Sequence, residues 1–247
     1  MKNCRAYLAV IATVIIIGCS PDSDDPIYTD CQLTRIMQAG DTSFFSTRFY
    51  YNASGLLSQI RASNYQVDFT YEPNKVIKHD QGYQIEFTLG PDSLAVSSVQ
   101  YTGPGDPVYS VNYHYNAEKY LVKAVGYLDG VLWDSTMYTI TNGNVTQTRW
   151  HQHNGVVDIV NDYSYHTDKT AKLWIYTKLG GDYGYFYYPW MGRPNKNLLK
   201  GQKQGTFEMS DYQYQLDASG FIAKIIYTSL DSAPPYSVEQ ATEHSCK

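Results

Sequence analysis

Residues Tyr50–Ile60 run YYNASGLLSQI, and Tyr214–Ile225 run YQLDASGFIAKI. Each phrase has an aromatic approach, a polar turn closed by glycine, and an apolar return ending in isoleucine. Asn52 and Asp217 open turns because a short polar side chain can accept hydrogen bonds from amides just downstream. Gly55 and Gly220 stand where a tight hairpin calls for positive φ. The two phrases specify one β-hairpin, written once near each end of the chain.

Other hairpins lie between them. Tyr71 leads into Glu72-Pro73-Asn74-Lys75 and returns as Val76-Ile77, and Leu89 leads into Gly90-Pro91-Asp92-Ser93 before Leu94–Tyr101. Tyr115 leads into Asn116-Ala117-Glu118-Lys119 before Tyr120–Tyr127, and Ile140 into Thr141-Asn142-Gly143-Asn144 before Val145. The approach strands alternate strictly. Val67, Phe69 and Tyr71 interleave with Gln66, Asp68 and Thr70; Ile85, Phe87 and Leu89 with Glu86 and Thr88. Val111, Tyr113 and Tyr115 do the same, as do Tyr212, Tyr214 and Leu216. Period two with aromatic residues on one side marks strands with one buried face, and no comparable helical spacing occurs after the N-terminal segment.

Units recur every ~20–27 residues, and a lone hairpin cannot bury its aromatic side. The fold expected is therefore all-β: an antiparallel meander of repeated hairpins forming a curved sheet or an incompletely closed barrel. Its 25 tyrosines would fill the concave side.

The pattern aromatic-x-Tyr-(Asn/Asp)-x-x-Gly-x-(Leu/Ile) resembles the YD-type repeat of Rhs and teneurin shells. It is closer still to Bacteroidetes surface lipoprotein domains built from YD-like units. Gly192-Arg193-Pro194-Asn195-Lys196-Asn197-Leu198-Leu199 matches the Gly-x-Pro-x-x-Asn-Leu element that interrupts the hairpins there. The likeness extends in pattern over residues 30 to 230, although Tyr165-His166-Thr167-Asp168 is a turn candidate without the glycine. It implies a fold and a location, and no activity.

The N-terminus agrees with that location. Lys2 and Arg5 precede an apolar run from Ala6 to Ile17, too short to span a bilayer and of signal-peptide length. Ile16-Ile17-Gly18-Cys19 resembles a lipobox, which makes Cys19 the acylation site, with palmitate among its chains. The acidic run Ser20-Pro21-Asp22-Ser23-Asp24-Asp25 resembles a Bacteroidetes export signal; it would also serve as a plain solvated tether. The expected division is a signal peptide over 1–18, a lipidated tether over 19–30 and one domain over 31–247.

Net charge is −5, and loss of Lys2 and Arg5 with the signal peptide takes it to −7. An acidic chain with no basic cluster disfavours nucleic acid. Cys31 and Cys246 remain, one at each end of the domain. In an oxidising compartment they favour a disulfide, with two free thiols the alternative.

Chemistry-bearing constellations are few. His151 and His153 share a strand face and lie near Asp158, but spacing specifies no complete metal site. No nucleophile elbow, carboxylate pair or phosphate loop stands out, so neither enzymatic activity nor a cofactor is expected. Asp92-Ser93-Leu94, Asp134-Ser135-Thr136 and Asp231-Ser232-Ala233 resemble acceptors for periplasmic O-glycosylation. The densest irregularity is GGDYGYFYYPW, residues 180–190. Tyr183, Tyr185, Tyr187, Tyr188 and Trp190 could form a stacking platform for sugar rings; alternatively the 189–204 loop covers them.

These features together read as an outer-membrane lipoprotein on the extracellular face, with a non-enzymatic binding or envelope-structural role. Its partners would be the membrane itself and a glycan or an outer-membrane protein. The alternative is a glycan-binding module of a polysaccharide uptake system acting through residues 183–190.

Overall fold

The computed structural model describes residues 31–38, 46–62, 65–80, 82–103, 106–153, 155, 157–171 and 188–246. The first eight strands are β1 (Cys31–Gln38), β2 (Ser46–Tyr51), β3 (Leu57–Ala62), β4 (Tyr65–Glu72), β5 (Lys75–Asp80), β6 (Tyr83–Leu89), β7 (Ala95–Gly103) and β8 (Asp106–Tyr115). The second eight are β9 (Leu121–Leu128), β10 (Val131–Thr141), β11 (Asn144–Gln152), β12 (Val157–Thr170), β13 (Asn197–Gln204), β14 (Phe207–Leu216), β15 (Ile222–Ser229) and β16 (Tyr236–Cys246). Each pairs antiparallel with its neighbours in sequence, and β1 pairs with β16, so the meander closes.

Closure corrects the expectation of a curved or incomplete sheet. The seam runs from Cys31 opposite Cys246 to Gln38 opposite Gln240, and leaves no edge strand to protect. A disulfide joins Cys31 to Cys246 at one end of that seam. Because the strand number is even, Cys31 and Cys246 reach the same rim.

The hairpin phrase repeats as geometry. At Asn52–Leu56, Gly90–Leu94, Asn116–Tyr120 and Asp217–Phe221 the first amide donates to the fifth carbonyl, at 2.8, 2.8, 3.0 and 2.8 Å. The fourth amide donates back to the first carbonyl in every case. Asn52 and Asp217 each also accept two downstream amides on Oδ1, at 2.8–3.0 Å. The fourth residue is left-handed: Gly55 and Gly220 both have φ 79°, while Ser93 and Lys119 hold the position at φ 60° and 67°. Tyr165–Asp168, a turn candidate from sequence, lies inside β12.

These turns share one rim with the disulfide. Just beyond four of the hairpin turns on this rim, the returning strand bulges at Ser58, Val96, Val122 and Ala223. A bulge lets adjacent residues point the same way. It accounts for buried neighbours such as Tyr120 with Leu121 and Phe221 with Ile222, where simple alternation would expose one of each pair.

Inside and outside separate sharply. Nothing covers the outer face of a single-walled barrel, so side chains exposed by 1 % or less, such as Ile60, Val67, Val76 and Ile225, point inward. The registers then assign the rest. The outer wall is charged: Lys75 meets Glu86 at 2.8 Å, Lys203 meets Glu208 at 2.9 Å, Lys224 meets Glu239 at 3.0 Å, and Arg149 pairs with Asp158. Such exposed pairs add little stability. Their value is diagnostic, because one Lys or Arg on the lipid face of a spanning barrel costs ~2–4 kcal/mol at mid-bilayer. A charged outer wall is the reverse of the apolar belt that a membrane wall presents.

Candidate functional site

The interior differs between its two ends. Toward the disulfide rim it is packed. After β12 the chain returns as Tyr188 and a 3-10 turn, Pro189–Met191, that lies inside the barrel. Trp190 stacks on Tyr188 with centroids 5.0 Å apart and meets Phe69, Tyr71 and Phe87 at 5.7–6.0 Å. The following residues lace this plug to the rim. Arg193 N donates to Lys119 O at 2.8 Å, Lys196 N to Gly143 O at 2.9 Å, and Val145 N to Asn195 Oδ1 at 2.7 Å.

Tyrosines line the packed part, and their hydroxyls are held by the wall. Tyr165 donates to Val145 O at 2.7 Å, and Tyr113 shares a hydrogen bond with Ser98 at 2.8 Å. Burial pushes the phenols of Tyr51 and Tyr71 up to about 12. One ion pair is enclosed on the inner wall of β5. Lys78 Nζ lies 3.1 Å from Asp80 Oδ2, which also accepts from Tyr65 and Tyr83 at 2.9 Å each. Burial pushes the Asp80 carboxyl up, but the two phenols and the Lys78 ammonium outweigh it and hold the group below its usual range.

The opposite end is open over β8–β16. By register Val131, Val157, Phe207 and Tyr236 face inward at this rim, yet they remain 69, 40, 74 and 54 % exposed. An inward residue that exposed borders water, not packed protein. Beneath them sits a polar belt. Asp134 accepts from Tyr109 OH at 2.7 Å on one oxygen and from Trp150 Nε1 at 3.2 Å on the other. Gln202 Nε2 donates to Asn161 Oδ1 at 3.1 Å, and the buried Ser210 hydroxyl bonds to no group among the described residues.

The residues singled out from sequence scatter over this frame. Cys19, Tyr183, Tyr185 and Tyr187 lie outside the described residues. Trp190 is not on a surface platform: it is 3 % exposed in the core, with Tyr188 half-buried against it. The 189–204 stretch is not an outer cover either, since its first part enters the barrel and residues 197–204 form β13. His151 and His153 stack edge to face at 4.7 Å, but Asp158 is engaged by Arg149. No group of three or more potential metal ligands occurs among the described residues. Ser93 and Ser232 sit at turns, and Ser135 faces outward on β10 beside His153 Nε2 at 3.3 Å.

Sequence reasoning missed Asp134, Trp150 and the Lys78–Asp80 pair. Asp134 and Trp150 lie close in sequence to features read as something else, an acceptor tripeptide and a histidine pair. Asp134 shares the parity of the inward Tyr138 on β10, which could have signalled it; β5 and β11, which carry Lys78–Asp80 and Trp150, hold no tyrosine.

By sequence the chain matches no family model and no curated protein. By structure it is similar to a porin-like protein from Bacteroides uniformis, with a TM-score of 0.65 at 16 % identity. The match covers 87 % of this chain and 96 % of that one. Identity at this level carries the fold alone: an all-β antiparallel barrel of sixteen strands.

Proposed function

We propose that this chain is an outer-membrane lipoprotein whose barrel stands in water beside the bilayer, anchored through Cys19, with a non-enzymatic binding or structural role. The observation that carries this reading is the charged outer wall, which makes strand insertion into lipid unfavourable by several kcal/mol for each ion. The porin-like likeness supports an envelope setting. The lipobox-like Ile16–Cys19 segment supplies an attachment that the wall itself does not. Acyl chains hold at ~0.8 kcal/mol per buried methylene, so two or more anchor a polar body stably. Residues 20–30, at about 3.5 Å each, allow a reach of at most roughly 40 Å. The acidic run after Cys19 favours the extracellular face.

Separation of membrane and soluble fractions from cells carrying Cys19→Ala tests both halves of the reading. The expected result is release of the variant, while the wild type stays with the outer membrane and reacts with an impermeant amine label on intact cells. Retention of Cys19→Ala in the membrane after high-salt washing would mean that the wall spans lipid, and would overturn the proposal.

A further inference from the structure

The open end carries more chemistry than a structural wall needs. Rim residues Val131, Val157, Phe207 and Tyr236 face inward and stay wet. Exposed aromatic and aliphatic surface on a concave face is unfavourable unless something covers it part of the time. On β10, inward of Val131, the Asp134 carboxylate is fixed by Tyr109 and Trp150, and each oxygen keeps a further acceptor position. The Asn161 amide hydrogens and the Ser210 hydroxyl have no protein partner among the described residues.

Charge narrows the occupant. Among the described residues the inward positions of β8–β16 hold no lysine or arginine, so an anionic ligand would meet no counter-charge. The inward cation of the other half, Lys78, is already paired with Asp80. A purely apolar ligand is disfavoured as well, because it would strip water from Asp134 and Asn161 without replacing their hydrogen bonds. Flat aromatic faces beside fixed neutral donors, with one carboxylate acceptor, suit a ring that is apolar on its C–H face and hydroxylated at its edge.

We propose that the open end of the barrel is a binding site for a neutral oligosaccharide. Phe207 and Tyr236, on β14 and β16, stack on sugar rings at the rim, and Asp134, on β10 further round the same wall, accepts hydroxyl hydrogens from another ring of the same oligosaccharide. The site goes beyond the anchoring reading and moves the sugar-binding role from residues 183–190 to the end of the barrel opposite Trp190.

The test is isothermal titration of the purified full-length protein, in a sugar-free polyoxyethylene detergent, with maltohexaose, xylohexaose and mannohexaose. Sodium laurate and hexagalacturonate serve as the apolar and anionic comparisons. The expected result is saturable binding of at least one neutral hexasaccharide. It should weaken tenfold or more in Phe207→Ala/Tyr236→Ala, with an unchanged thermal midpoint, and again in Asp134→Asn, read at a temperature where circular dichroism shows it folded. Because 207 and 236 are exposed, the double variant keeps its fold, and circular dichroism verifies this. The proposal is overturned by silence toward all three sugars, by binding that ignores these substitutions, or by laurate or hexagalacturonate binding in their place. Fractionation of Cys19→Ala reads none of these quantities, so the two readings fail separately.

Discussion

The phenol of Tyr71 donates to the main-chain carbonyl of Leu57 at 2.7 Å, and Leu57 flanks the bulge of β3. Tyr51 makes the same bond to Leu33 at 2.8 Å beside the β1 bulge, and Tyr165 to Val145 at 2.7 Å beside the β11 bulge. A bulge takes a residue out of the ladder, and the backbone groups around it still need partners. The recurring tyrosine is therefore a strut onto the neighbouring strand as well as core filling. Tyr71→Phe, which keeps the ring and deletes the strut, should cost about 1–2 kcal/mol and lower the thermal midpoint by a few degrees in calorimetry.

Gly192 is where the plug turns back toward the rim, at φ 96°. A Cβ there would lie 2.6 Å from Lys119 O and 2.8 Å from a Tyr115 ring carbon. Backbone strain and this clash act together. Gly192→Ala should destabilise by about 2–4 kcal/mol, seen as a lower denaturant midpoint. Loosening of the plug should also shift intrinsic tryptophan emission to the red as Trp190 meets water.

The disulfide spans a sequence separation of 215 residues. Closing so long a loop restricts the unfolded chain, and Cys246→Ser should lose about 3–5 kcal/mol in urea denaturation. The expected m-value rises, because the unbridged chain exposes more surface on unfolding.

Alkaline pH provides a separate probe of the tyrosine interior. Burial holds the phenol protons of Tyr51 and Tyr71 to about pH 12 in the folded protein, against the ordinary 10.0 in the unfolded chain. A raised folded pKa means that this stabilisation is complete below pH 10 and is lost as pH climbs from 10 through about 12. Stability should therefore fall steadily across that window. The phenolate absorbance of these buried groups should appear together with loss of the β-sheet circular dichroism signal, not before it. Phenolate absorbance that saturates near pH 10 with the sheet intact would contradict the enclosed placement.

The local grammar of this barrel was legible in its residues. Asn52 and Asp217 signalled the same turn, and it is the same turn. Val67, Phe69 and Tyr71 signalled one buried face, and that face is the interior. Closure was not legible, because it depends on β1 finding β16, and those segments carry no pairing signal beyond Cys31 and Cys246. Trp190 was misplaced for a related reason: composition tells that an aromatic will be covered, not whether cover lies inside or outside a wall. Asp134 and Trp150 were missed because the inward positions of β10 and β11 are mixed: Asp134, Thr136 and Thr148 are polar, while Tyr138 and Trp150 are aromatic. Alternation there loses the contrast on which reading by period depends.

The seam has a mechanical consequence. Under the proposed anchoring at Cys19, a pull would enter the wall at Cys31, the terminal residue of a strand that could otherwise peel away from its neighbour one hydrogen bond at a time. The covalent link to Cys246 forces the load onto both sides of the seam together, so the strands must shear rather than unzip. A mooring at that point would tug on the molecule without opening it.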